Sequence, residues 1–172
     1  AQEIPLSIVY EDEEVLVINK PAGLVVHPGA GNHAGTLLNA LLFHDPDLNK
    51  LPRAGIVHRL DKETSGVLLV AKTQAMYDWL KKQFKERQVK KVYLALVHGH
   101  VEKEIGKIDL PVGRSPKNRL RRTTKLVASS RSALTEFFRL KTFTNYSLLE
   151  VHPFTGRTHQ IRVHLAAINH GS

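Results

Sequence analysis

Residues 56–70 determine the predicted fold, because they place a short polar connection between two apolar runs. They read Ile56-Val57-His58-Arg59-Leu60-Asp61-Lys62-Glu63-Thr64-Ser65-Gly66-Val67-Leu68-Leu69-Val70. The runs at 56–58 and 67–70 are β-rich, which predicts a buried strand at each end. The connection is far shorter than the crossover that parallel strands need. The stretch therefore favours antiparallel pairing.

Short strands and short helices continue to alternate along the rest of the chain. Further β-rich runs predict strands at 8–10, 15–18, 24–26, 92–98, 105–110, 134–140 and 146–151. Helices are predicted over 36–43, from Thr73 onward with Met76, Leu80 and Phe84 at four-residue spacing, and over 160–168. This spacing of elements predicts an α+β fold with a mixed, mainly antiparallel β-sheet and flanking helices. We expect one domain over residues 1–172.

The charge balance indicates a polyanionic partner. Lys and Arg number 25 against 16 Asp and Glu, a formal net charge of +9. Nucleic acid is the favoured partner, and an anionic membrane surface or a basic surface kept for solubility is the alternative. The sequence has no cysteine, which excludes disulfides and thiolate metal sites. No apolar run is long enough to span a membrane, and the N-terminus lacks the basic and apolar regions of a secretion signal. A cytoplasmic location and a monomer are the default expectations.

Two weaker patterns resemble cofactor or metal sites. Residues 29–34 form a GxGxxA string, but no parallel βαβ unit surrounds it, so we expect a plain loop. The 10 histidines include His159 and His164, which are five positions apart and lack a third ligand. We therefore expect neither a small-molecule cofactor nor a metal.

A basic segment spans residues 114–125 and contains no acidic residue. It is either a solvated loop or a contact to an RNA backbone, and the net charge favours RNA. The residues expected to contact the RNA backbone are Arg114, Lys117, Arg119, Arg121 and Arg122.

Two polar stretches contain candidate catalytic residues. Asp61 follows the first predicted strand of residues 56–70 and lies between Arg59 and Lys62. These residues alone leave two interpretations open, a catalytic carboxylate and an ordinary turn aspartate. The second stretch, 155–164, opens the last predicted helix with several polar groups. Arg157 and Arg162 are five positions apart, so at most one is directed at a given site; either a pair with Asp61 or a phosphate or surface contact is possible.

At these motifs the sequence resembles the large-subunit ribosomal RNA pseudouridine synthase family, most closely its synthase D group. His58-Arg59-Leu60-Asp61 with Thr64-Ser65-Gly66 is similar to the family's signature around its catalytic aspartate. Residues 91–95 are similar to its tyrosine motif, 156–164 to its arginine motif, and 18–28 to its opening motif. The resemblance runs in order along nearly the whole chain.

The resemblance implies a role for each matching residue. Asp61 would be the catalytic aspartate, Tyr93 the ring against the target base, and Arg162 the ion-pair partner of Asp61. Arg59 and Ile161 would hold the flipped nucleotide, and we include Arg157 and His159, from the same arginine motif, among the expected substrate contacts.

The implied function is isomerisation of specific uridines to pseudouridine in large-subunit ribosomal RNA. Alternatives are the same chemistry on transfer RNA, and an inactive RNA-binding or ribosome-assembly domain. The family's small N-terminal RNA-binding domain and the segment that follows the last helix are absent from the sequence, so we expect a truncated catalytic domain.

Overall fold

The computed structural model describes residues 1–29, 31–117 and 121–168. The chain divides into two compact units, Ala1–Gln88 and Val89–Ser172. Each unit has its own antiparallel sheet. The expectation of one catalytic domain over the whole chain stays a prediction.

The first unit contains a three-stranded antiparallel sheet with strand order β1-β2-β3. Its strands are β1 (Ile8–Glu11), β2 (Val15–Lys20) and β3 (Gly66–Ala71), and its helices are α1 (Leu37–His44) and α2 (Gln74–Lys85). Two 3₁₀ turns, Pro46–Lys50 and Pro52–Gly55, follow α1. β2 and β3 pair without a bulge, so Lys20 lies opposite Gly66. This register places the end of β2 beside the start of β3.

Helix α2 forms where the sequence predicts it, and its apolar stripe packs on the core, with Leu80 buried and Met76 and Phe84 partly buried. The Thr73 side chain accepts a hydrogen bond from the Met76 amide at 3.2 Å, which caps the helix. Met76, Leu80 and Phe84 then pack with Val57 and other residues of the first core. The four-residue spacing produces this contact because positions i and i+4 share one face of a helix.

Two predicted strands in the first unit are wrong. Residues 24–26 form no strand, because the carbonyls of Val25 and Val26 accept hydrogen bonds from the first amides of α1, at 2.8 and 3.1 Å. Residues 56–58 make a single bridge, between Ile56 and Val70. The neighbouring amide of Leu69 donates instead to Nε2 of His58, at 2.9 Å. A side chain thus replaces the next backbone partner.

The second unit contains a four-stranded antiparallel sheet, a two-stranded hairpin and one helix. The larger sheet has the order β4-β9-β8-β5, from β4 (Tyr93–His98), β5 (Ile105–Asp109), β8 (Leu134–Thr142) and β9 (Tyr146–Pro153). The hairpin pairs β6 (Gly113–Arg114) with β7 (Arg122–Thr123), and the helix is α3 (Gln160–Ala167). The hairpin was not predicted.

The core of the second unit lies between its sheet and α3. Leu165 of α3 is fully buried together with Val97, Leu149 and Val151 of the sheet. Gly106 leaves room for the ring of Phe137 across the β5 and β8 pair, where a Cβ atom would clash with that ring. Every strand pairing among the described residues is antiparallel, which confirms the predicted α+β fold.

Candidate active site

Asp61 lies in the loop that leads from the Ile56 bridge into β3. The Thr64 amide donates to the Asp61 carbonyl at 3.1 Å, which closes a turn over residues 61–64. The preceding Leu60 is buried and anchors the loop, whereas Asp61 is only partly buried. The carboxylate therefore stands on a fixed turn and stays accessible to a large substrate.

A buried lysine ammonium holds this turn. The Lys20 side chain is fully buried, and its Nζ donates to the carbonyls of Pro21 at 2.8 Å, Leu24 at 2.9 Å and Lys62 at 3.0 Å. The Lys62 carbonyl also accepts from the Gly23 amide at 2.8 Å. Because Lys62 follows Asp61 directly, these contacts restrain the backbone next to the candidate carboxylate.

The charge of Lys20 is also coupled to the acidic groups of the turn. Burial lowers the pKa of the Lys20 ammonium, and the carboxylates of Glu63 and Asp61 oppose that effect. A buried cation is tolerated when it is hydrogen-bonded and near opposite charge. Lys20 meets both conditions, and the sequence analysis did not single it out.

His58 has a structural role in the same loop. Besides accepting the hydrogen bond of the Leu69 amide, its ring stacks on Phe84 with centroids 4.7 Å apart. His58 therefore fixes the start of the loop against β3 and α2, immediately before the exposed Arg59.

An open pocket of about 570 Å³ lies next to this loop in the first unit. Its lining residues are His27, Pro28, Arg53, Ile56, Val57, His58 and Arg59. Of these, only Arg59 was a predicted site residue. The sequence does not identify Arg53 or His27 as site residues. An arginine in a Pro-Arg-Ala-Gly turn, such as Arg53, carries no catalytic signature of its own.

Tyr93 lies in the second unit, at the first position of the edge strand β4. It pairs with Val151 of β9 and is partly buried against the second core. Packing of the ring and strand pairing of the backbone hold the residue in place.

Helix α3 carries Ile161 and Arg162, and a buried polar network fixes its first turn. The Gln160 amide group accepts from the Thr155 hydroxyl at 2.6 Å and donates to the Thr135 hydroxyl at 2.9 Å and the Leu134 carbonyl at 3.0 Å. Ile161 packs against the core and is partly buried, whereas Arg162 is exposed. The network therefore fixes the backbone position from which the exposed side chain of Arg162 extends.

His164 extends this network on the next turn of α3. Its ring nitrogens lie 2.8 Å from the Thr135 hydroxyl and 2.8 Å from the Leu110 carbonyl. Burial lowers the pKa of His164 below its ordinary value. A neutral ring that bridges a hydroxyl and a carbonyl explains why this histidine is fully buried.

The loop before α3 contains the two remaining predicted substrate contacts. Arg157 is partly buried, and its Nε donates to the Ser132 carbonyl at 3.0 Å. His159 has φ 56°, a left-handed conformation that is uncommon for residues other than glycine. Asp61 and Arg59 thus belong to the first unit, and Tyr93, Arg157, His159, Ile161 and Arg162 to the second. The ion pair of Asp61 with Arg162 stays a prediction.

The predicted basic segment folds partly as the β6 and β7 hairpin. Arg114 lies directly opposite Arg122, and the exposed Lys117 and Arg121 lie in the connection. Arg119 lies outside the described residues. Like charges directly opposite each other destabilise a strand pair, so a nearby anion would stabilise this hairpin.

The described residues lack two further features. They contain no group of three or more His, Cys, Asp or Glu side chains placed to hold a metal ion. In the same residues, every helix is too short or too polar to cross a membrane.

The sequence profile of the RNA pseudouridylate synthase family matches residues 14–167, so the chain belongs to that family. Among its relatives, ribosomal large subunit pseudouridine synthase D of Nitrosomonas europaea is 54% identical over 99% of this chain and 48% of the relative. The protein of the same name from Neisseria meningitidis serogroup B is 51% identical over 98% of this chain and 45% of the relative. The chain thus spans about half the length of these curated relatives.

Solved structures of the same family share the fold. Human RNA pseudouridylate synthase domain containing 1 superposes with a TM-score of 0.81 at 31% identity, covering 99% of this chain and 68% of the human chain. Human RNA pseudouridylate synthase domain containing 4 gives a TM-score of 0.75 at 28% identity, over 96% and 66% of the two chains. The resemblance on which the sequence analysis relied is confirmed.

Proposed function

We propose that this protein isomerises specific uridines to pseudouridine in large-subunit ribosomal RNA. The observation that carries the proposal is the 54% identity, over 99% of the chain, to a relative named ribosomal large subunit pseudouridine synthase D. The net charge of +9 and the basic hairpin support an RNA partner.

The reaction suits the residue types of the site. The bond between N1 and C1′ of the uridine breaks, the uracil turns while it remains bound, and C5 joins C1′. The hydrogen on C5 leaves as a proton and N1 gains one, so atoms and electrons balance without an oxidant. A carboxylate could attack C1′, stabilise a sugar cation or remove a sugar proton, and each role uses its ionised form.

In this proposal Asp61 is the reacting carboxylate and Arg162 is its ion-pair partner. Tyr93 stacks on the target base, and a stacked base on an aromatic ring contributes roughly 1–3 kcal/mol. Such contacts offset the few kcal/mol that flipping a base out of folded RNA costs. Arg59 and Ile161 complete the nucleotide pocket. We assign Arg157 and His159 as weaker substrate contacts, because the Arg157 Nε already donates to a backbone carbonyl.

RNA-backbone binding is assigned to Arg114, Lys117, Arg119, Arg121 and Arg122. The two like charges of Arg114 and Arg122, which lie directly opposite each other in the β6 and β7 pair, support a polyanion at this hairpin. We further propose that residues 1–172 act as one catalytic domain of a cytoplasmic monomer that uses no cofactor. Light scattering after gel filtration, at a mass near 19.3 kDa for the isolated chain, tests the monomer.

A map of pseudouridines in cells that lack the gene tests the function. We expect sites to disappear from large-subunit ribosomal RNA and to return with the intact gene. Loss of sites in transfer RNA would show the same chemistry on another substrate. An unchanged map in both RNAs would contradict the enzyme and favour an inactive RNA-binding or ribosome-assembly protein.

A further inference from the structure

Arg53 stands in a turn whose backbone is strained. It has φ 53° and ψ 32°, the following Ala54 has φ 52° and ψ 38°, and Gly55 has φ 79°. All three residues are therefore left-handed, and two of them are not glycine. Such conformations cost free energy and tend to occur at functional sites, where the surrounding structure enforces them.

Packing on β3 enforces this turn. Gly55 contacts the strand so closely that a Cβ atom would clash with the carbonyl oxygen of Ala71. Ala54 is buried, and Ile56 forms its bridge to Val70. Arg53 is exposed, whereas residues 54–57, which follow it, are all buried. The turn thus fixes an arginine on the surface, at the rim of the pocket next to the Asp61 loop.

The pocket is positively charged. Arg53 and Arg59 both line it, and its lining contains no carboxylate. Within the described residues of the first unit, neither arginine forms a salt bridge. His27 is half-buried in the same pocket. Burial lowers its pKa most, and the positive charges of Arg53 and Arg59 lower it further. A lowered pKa favours the neutral imidazole of His27, which keeps one ring N–H to donate.

Two guanidinium groups and a neutral imidazole suit a phosphodiester. The planar guanidinium offers paired N–H donors that match two phosphate oxygens. The apolar Pro28, Ile56 and Val57 in the same lining offer contact to a sugar rather than to a second charge. Arg59 belongs to the loop that carries Asp61, two residues farther on, so an anion held here lies close to the reacting nucleotide.

We infer that Arg53, with Arg59 and His27, binds one backbone phosphate of the RNA beside the target uridine. This inference rests on the proposed function and adds a site to it: Arg53 holds the strand on which the target lies and does not contact the reacting atoms. Arg53 is therefore a substrate-positioning residue, and its loss should raise KM more than it lowers kcat.

The first experiment compares Arg53→Gln with Arg87→Gln. Arg87 is a matched control, because it is exposed, belongs to the same unit and also has a left-handed backbone with φ 58°, but does not line the pocket. The probe is an unmodified transcript of the source organism's large-subunit ribosomal RNA, labelled with tritium at C5 of uridine. We expect Arg53→Gln to raise Kd and KM by roughly tenfold to a hundredfold, as loss of a charged bidentate contact does. Arg87→Gln should change neither, and circular dichroism should show both variants folded.

The second experiment locates the phosphate. Short synthetic RNAs around the mapped uridine each receive one neutral methylphosphonate linkage. One linkage should weaken binding to the parent protein and to Arg87→Gln, but should weaken binding to Arg53→Gln by a clearly smaller factor, because only Arg59 and His27 then remain at that phosphate. Arg53→Lys should keep the salt dependence of Kd and recover only part of the affinity.

The outcomes separate this inference from the proposed function. An active parent with equal Kd values for Arg53→Gln and Arg87→Gln would overturn the phosphate site alone. The same holds if every linkage weakens Arg53→Gln as it weakens the parent. A parent that releases no tritium from any RNA would overturn the proposed function, and this inference with it.

Discussion

Replacing Lys20 with methionine should destabilise the first unit and displace the Asp61 turn. Methionine keeps much of the length of the side chain and removes its charge and its three hydrogen bonds. The Lys62 carbonyl keeps the Gly23 amide as a donor, whereas the carbonyls of Pro21 and Leu24 lose the ammonium.

The expected loss follows from these contacts. A hydrogen bond to a charged group contributes about 1.5–3 kcal/mol, so the loss of the ammonium from these two part-buried carbonyls costs about 3–6 kcal/mol. Removing a buried charge returns part of this, because the ammonium no longer has to be desolvated. We therefore expect the free energy of unfolding to fall by about 2–4 kcal/mol.

Urea unfolding measures this change. The only tryptophan of the sequence, Trp79, lies on α2 in the first unit, so its fluorescence follows the unit that contains Lys20. Lys62→Met is the matched control: it removes the same charge from an exposed side chain next to Asp61 and leaves the Lys62 carbonyl in place. It should change stability by less than about 0.5 kcal/mol. Equal effects of the two variants would refute the reasoning.

Three further changes test the second unit. Gln160→Leu removes the network beneath α3 and should lower the free energy of unfolding by about 2–4 kcal/mol in urea, with activity impaired below the transition; a fully stable variant would count against the network. Burial holds the pKa of His164 below 6.5, so on acidification the unfolded chain protonates this histidine before the folded chain does. The free energy of unfolding should therefore fall as the pH drops below 6.5, by at most about 1.4 kcal/mol per pH unit. His164→Gln should make this dependence shallower, and His27, whose pKa burial also lowers, contributes with the same sign. Replacing Arg121 and Arg122 by alanine should lower the slope of log Kd against log salt by about two; an unchanged slope would exclude them as phosphate contacts.

The sequence predicts best those elements whose pattern is local. The stripe on α2 and the antiparallel strand pairs follow from side-chain periodicity, and they are confirmed. The predicted strands at 24–26 and 56–58 do not form. Amides of α1 bind the carbonyls of the first segment, and the His58 ring accepts the β3 amide that would have paired with the second. No local pattern encodes such long-range competition for backbone groups.

The same distinction between local and long-range features applies to the residues of the candidate site. Asp61 stands out from flanking charge and from the resemblance, because its motif is contiguous in sequence. Lys20 contributes through a hydrogen bond to the Lys62 carbonyl, 42 residues farther along the chain. Arg53 contributes through its strained backbone. Composition and spacing carry no trace of either.

The most direct test of the central claim is tritium release from C5-labelled large-subunit ribosomal RNA by Asp61→Asn and by Glu63→Gln. Glu63 is an exposed carboxylate in the same turn, so it matches the change in charge without the proposed chemistry. We predict that Asp61→Asn lowers the rate at least about a thousandfold with RNA binding retained, and that Glu63→Gln stays within about twofold of the parent. Release by Asp61→Asn within about tenfold of the parent would contradict the assignment of Asp61 as the reacting carboxylate.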